Sequence, residues 1–154
     1  MTLVSAKTKQ YLRDVVIPLR LSCVSASGWP VVLSLWYLHR DGLFYCATQE
    51  TARVVSYLRH EPRCAFEIAA DHPPYCGVRG QGMATIDTTS GVEILEHLLI
   101  RYLGSTETQL GKRLLAQSHN EVAIVIEPVK VFTWNYTSRM RDSVSEPSEK
   151  LCPE

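Results

Sequence analysis

Thr48, Thr51 and Arg53 stand where an apolar strand-like run gives way to a helical one, and two hydroxyls beside a guanidinium at a helix start can hold a phosphate. Thr48 is placed to cap that helix, and Arg53 then falls in or near its first turns. A cation there meets the positive end of the helix dipole at a cost of about 0.3–1 kcal/mol, unless an anion shares the position. The competing reading is an ordinary ion pair between Arg53 and Glu50.

Other chemical patterns fail on spacing. Gly104 to Arg113 ends in Gly111-Lys112 like a phosphate loop, but six residues separate its glycines and Arg113 replaces the Ser or Thr that would hold magnesium. Gly77, Gly80 and Gly82 lie within a strand pattern and open no helix, which excludes a dinucleotide fingerprint and predicts close approach to that strand. His39, His60, His72, His97 and His119 show no metal-ligand spacing, and there is no Gly-x-Ser-x-Gly elbow. Five cysteines without a Cys-x-x-Cys pair leave one unpaired in any complete disulfide scheme, which predicts a reducing compartment. Cys23, Cys46 and Cys64, set among Val, Leu, Tyr and Phe, read as small core hydrophobes.

These residues must be positioned by a mainly β fold, because the hydrophobic period along the chain is mostly two. Helices are expected over Ala6–Asp14, Thr48–His60, Val92–Leu103 and Gln109–Gln117. Strands are expected after Pro18, over Val31–Leu38, Leu43–Ala47, Arg63–Ala70 and Gly77–Asp87, and over Glu121–Tyr136 with Pro128 at a bulge. Asp41-Gly42 suits a tight hairpin, and Asp71–Tyr75, with two prolines, reads as an exposed loop. Val31–Leu38 is apolar nearly throughout, so both of its faces should be covered by protein, a partner subunit or a ligand. Residues 1–139 form one domain on this reading, and 140–154 a polar, disordered tail.

At 154 residues and 45% hydrophobic, the chain suits a single core. Sixteen basic residues balance sixteen acidic ones, which gives no global reason to expect nucleic acid or an anionic membrane as partner. Apolar runs fall far short of the roughly 20 residues a membrane span requires. Met1–Asp14 is charged, with no apolar stretch after its lysines, which predicts no signal peptide and a cytoplasmic location.

The run from Pro18 through Gly82 resembles the pyridoxamine 5'-phosphate oxidase-like, FMN-binding split β-barrel superfamily. The resemblance rests on the order of its pieces: Leu19–Val24 leading into Ser27-Gly28-Trp29-Pro30, the strand Leu33-Ser34-Leu35-Trp36, then Leu43–Thr48 with Arg53 five residues on. Leu58–Ala65 and Val78–Ala84 follow, and Val131–Trp134 extends the likeness loosely.

The resemblance implies a six-stranded antiparallel split β-barrel, homodimeric, with two flavins at the subunit interface and a small-molecule substrate. Val32, Leu33, Ser34, Leu35 and Trp36 would pass beside the isoalloxazine ring. Ala47, Thr48, Thr51 and Arg53 would belong to the turn gripping the phosphate, and Arg79, Gln81 and Trp134 would reach in from the partner chain. The implied activity is flavin-dependent oxidoreduction, with no side chain assigned as acid or base. A non-catalytic flavin or haem carrier on the same scaffold is the rival, haem requiring a histidine such as His119 or His39. Two departures stand out. The Arg-Leu-His-Asp-Arg-like stretch of true pyridoxamine phosphate oxidases is replaced by Trp134–Arg139, and Val54 stands where many relatives carry a second basic residue. The second departure brings in the deazaflavin F420 as the alternative cofactor.

Overall fold

A computed structural model of the protein describes residues 4–143 and 152–153. Seven strands form one antiparallel sheet: β1 (Leu19–Val24), β2 (Pro30–Leu35), β3 (Leu38–Arg40), β4 (Leu43–Gln49), β5 (Arg63–Ala69), β6 (Cys76–Asp87) and β7 (Glu121–Asn135). Their spatial order is β2-β1-β5-β6-β7-β4-β3. Four α-helices accompany them: α1 (Ala6–Asp14), α2 (Arg53–His60), α3 (Gly91–Leu103) and α4 (Gln109–Ala116).

The strand expected over Val31–Leu38 is two strands, and this raises the count from the expected six to seven. The break falls at Trp36-Tyr37, where side chains replace the ladder. The Tyr37 amide donates to the Tyr102 hydroxyl at 3.2 Å, and the fully buried Tyr37 hydroxyl donates to the Leu12 carbonyl at 2.9 Å. The break also shapes the sheet. β2 and β3 lie at opposite ends of the strand order, which in a flat sheet would separate them by about 29 Å, six steps of about 4.8 Å. Three peptide steps from Leu35 to Leu38 span at most about 11 Å. The sheet therefore curls until its two edges meet around the chain, yet among the described residues no ladder joins β2 to β3. The expected barrel is, in this chain, a curled sheet with open hydrogen bonding.

The concave side holds the core, with Leu19, Leu21, Phe44, Phe66, Ile68, Ile124 and Ile126 all buried and Val55 and Leu58 of α2 packed among them. A smaller cluster of Ile94, Leu98 and Ala123 seats α3 on β4 and β7, with Trp36 stacked on Tyr102 at 4.9 Å beside it. Asp41 (φ 54°) and Gly42 (φ 82°) make the tight β3–β4 turn expected of an Asp-Gly pair. The β6–β7 register jumps from Gln81↔Lys130 to Gly82↔Pro128, so the bulge falls beside Pro128 as expected. The close approach expected at the β6 glycines is made by the protein itself: a Cβ on Gly80 would lie 2.5 Å from the Phe66 ring.

Cys23, Cys46 and Cys64 are free and buried, and desolvation raises all three thiols above their ordinary range. Cys76, in contrast, is disulfide-bonded to Cys152, a pairing the spacing did not reveal. The bond ties the C-terminal region to the start of β6, and residues 137–143 form 3₁₀ turns that carry regular structure into the first four residues of the tail expected over 140–154. The rest of that expected tail, 144–151 and 154, lies outside the described residues.

Candidate functional site

Three places in the fold divide the residues singled out by sequence. The first is a cleft of about 370 Å³ between α3–α4 and the ends of β2, β4 and β7. Ser34, Leu35, Trp36, Ala47 and Thr48 line it together, joining two segments that the sequence reading assigned to opposite ends of one ligand. Its apolar wall is completed by Leu95, Leu98 and Leu114, and its polar end by Gln49, Gln117 and Glu121. None of these six is signalled in the sequence. They converge because Gln49 ends β4 directly opposite Glu121 at the start of β7, and because α3 packs back over that pair of strands.

The polar end is tightly wired. Gln49 Nε2 donates to Glu121 Oε2 at 2.5 Å and to the Gln117 carbonyl at 3.0 Å. Burial raises the Glu121 carboxyl above its ordinary pKa, and the Gln49 hydrogen bond only partly offsets that rise.

The second place is the start of α2. Thr48 does not cap this helix. It belongs to β4, a turn closed by Ala52 N donating to Gln49 O at 2.9 Å intervenes, and Ala52 is the N-cap with no side-chain bond. β4 runs two residues further than expected because its ladder with β7 continues to Gln49↔Glu121. Arg53 is consequently the first helical residue, exposed, with no acidic residue in the first turn. Glu50, the rival partner, pairs instead with Arg59 at 2.8 Å. Among the described residues Arg53 makes no hydrogen bond or ion pair, and the dipole mismatch expected from sequence is left uncompensated by the chain. Thr51 is exposed in the same turn and does not line the cleft.

The third place is the convex face of the sheet. In register across five strands run Val32, Ser22, Ala65, Gln81 and Lys130, and beside them Ser34, Arg20, Glu67, Arg79 and Phe132. Val32, Arg79, Gln81 and Phe132 border a groove of about 430 Å³, with Val32 69% and Phe132 51% exposed. β2 alternates exposed and half-buried, so one of its faces is covered within the chain and the other is left for the partner subunit or ligand that its composition allows. Leu33 is on the covered face, packed against the core, and reaches neither cleft nor groove. Trp134 is half-buried opposite Gly77, its ring 5.3 Å from Tyr136 and its buried indole Nε1 without a hydrogen-bond partner among the described residues.

No family model and no curated protein matches the chain. Solved structures do. A conserved hypothetical protein of Mycobacterium tuberculosis superposes with a TM-score of 0.72 at 20% identity, covering 96% of this chain and 93% of that one. An F420 reductase gives 0.71 at 18% identity over 84% of this chain and 98% of that one. A putative pyridoxamine 5'-phosphate oxidase from Listeria innocua gives 0.61 at 17% identity, covering 80% and 92%. With its strand order, curled sheet and flanking helices, this chain has the fold of the pyridoxamine 5'-phosphate oxidase-like proteins.

Proposed function

We propose that the protein binds a flavin, FMN in the first reading, and acts as an oxidoreductase on a small molecule. The observation that carries the reading is the cleft that gathers Ser34, Leu35, Trp36, Ala47 and Thr48, with the unpaired Arg53 five residues beyond Thr48 at the start of α2. The residues suit the group chemically. An apolar wall with a polar end accepts a planar ring, and the guanidinium with the free first-turn N–H groups of α2 accepts a phosphate.

The flavin would supply hydride transfer. The chain's own residues would hold and orient it. Leu35, Trp36 and Leu98 exclude water from the ring, while Thr48 and Arg53 fix the position of the phosphate. The convex face fits a homodimer in a split-barrel arrangement. Val32, Met83, Val129 and Phe132 leave apolar surface open there, and Arg79 and Gln81 stand among them, able to complete the partner's site. Trp134, with an unsatisfied indole N–H, is the third residue assigned to that role. The cytoplasm is the proposed location from the charged N-terminal segment, and the Cys76–Cys152 disulfide, a kind of bond rare where thiols are kept reduced, is the observation that stands against it.

F420 is the second reading, favoured by the likeness to an F420 reductase and by Val54, which is buried and leaves Arg53 without a basic neighbour for a nucleotide phosphate. The test is the absorption spectrum and mass of the small molecule that co-purifies from a host making both cofactors, followed by thermal denaturation with each added. A bound cofactor must raise the melting temperature by mass action. Colourless protein stabilised by neither FMN nor F420 would refute the proposal.

A further inference from the structure

Glu121 is half-buried at the polar end of a mostly apolar cleft, held by one side-chain hydrogen bond that does not offset its desolvation. A carboxyl in that position costs stability and is not needed for the β4–β7 ladder, which is made by backbone. Its chemistry is constrained by its neighbour. Gln49 Nε2 carries two hydrogens, and both are used, one on Glu121 Oε2 and one on the Gln117 carbonyl. What the pair still offers the cleft is acceptors: Glu121 Oε1 and Gln49 Oε1. A ligand group seated against this pair must present a donor, while the Gln117 side chain and the Ser34 and Thr48 hydroxyls, which also line the cleft, can donate to acceptors beside it.

The oxidised isoalloxazine ring has a single ring N–H, at N3, in the middle of its pyrimidine edge. The geometry points to Glu121 as the residue that reads this edge, its carboxylate accepting the N3–H while Leu35, Trp36, Leu95 and Leu98 hold the rest of the ring. The inference rests on the flavin reading and adds an orientation to it: pyrimidine edge toward the β4–β7 junction. Deazaflavins share the edge, so the assignment holds for F420 as well. Glu121 is then a positioning residue that selects rings bearing an imide N–H over apolar rings of the same size.

The test compares FMN with N3-methyl-FMN on the intact protein by fluorescence titration at pH 8, in wild type and in Glu121→Leu. Wild type should bind the methylated ligand about tenfold or more weakly, the scale of a hydrogen bond to a charged group. Glu121→Leu, similar in bulk but without an acceptor, should weaken FMN by a comparable factor and bind both ligands alike. Glu121→Gln keeps a neutral acceptor and should fall between the two, and its ratio of affinities decides the matter if the leucine variant does not fold. Equal wild-type affinities, or a ratio that persists in the variants, would overturn the assignment while leaving flavin binding intact. Failure of wild type to bind FMN or F420 at all would overturn both.

Discussion

Arg53 is available because Arg59, at the other end of α2, takes Glu50. That competition cannot be read from sequence, where Glu50 is closer to Arg53 than to Arg59. The misplaced charge at a helix start could be read there, and it survives in the fold. Replacing Arg53 with Ala should therefore weaken FMN about tenfold or more while leaving the ligand-free melting temperature nearly unchanged, since an unpaired exposed arginine contributes little to folding. Titration and thermal denaturation of the variant check both halves. His39 allows a prediction independent of any ligand. Burial, and then the positive charges of Lys9 and Arg13, lower its pKa to about 4, and its buried Nε2 has no partner. Unfolded, it takes up its proton near pH 6.5, so between there and about pH 4 the unfolded state binds more protons and stability falls with acidification. The melting temperature should drop from pH 7 to pH 5 more steeply in wild type than in His39→Gln. Equal slopes would count against a buried neutral imidazole.

Elements with strong local signals are legible: α1, the Asp41-Gly42 hairpin and the Pro128 bulge each depend on residues adjacent in sequence. The division of Val31–Leu38 into β2 and β3 is not, because its cause lies elsewhere. Tyr37 leaves the ladder to bond Leu12 of α1, and Tyr102 of α3 takes the amide it releases. The α2 start was misplaced for a similar reason, since β7 holds β4 in ladder as far as Gln49. Glu121 carries no signal in the sequence, because nothing in a strand-opening glutamate announces the cleft that two distant helices build over it. If the Tyr37 hydroxyl fixes the break, Tyr37→Phe should fold and lose about 1 kcal/mol, the usual worth of one buried hydrogen bond. Chemical denaturation measures this, and an unchanged midpoint would assign the break to packing alone.

At the scale of the molecule, the fold class is readable from period-two hydrophobicity and from the order of segments between Pro18 and Gly82, whereas the curl of the open sheet, the disulfide and the exposed convex face require coordinates. Spacing alone could not join Cys76 to Cys152, which are separated by 76 positions. Alkylation followed by mass measurement should block three thiols in denatured protein kept from reductant and five after reduction; five at the outset would mean the bond does not form where the protein is made. The exposed apolar residues of the convex face predict a particle of twice the chain mass in light scattering, and a charge at Phe132, which is 51% exposed, should return it to one chain. The central claim is that a phosphate-bearing flavin lies with its ring in the cleft of Ser34, Leu35, Trp36, Ala47 and Thr48 and its phosphate at Arg53. FMN titration of wild type beside Arg53→Ala tests it most directly. Saturable binding with quenched fluorescence, weakened about tenfold or more by the substitution, is the result expected. Binding of equal strength in the two proteins, or none in wild type for FMN and F420 alike, would contradict it.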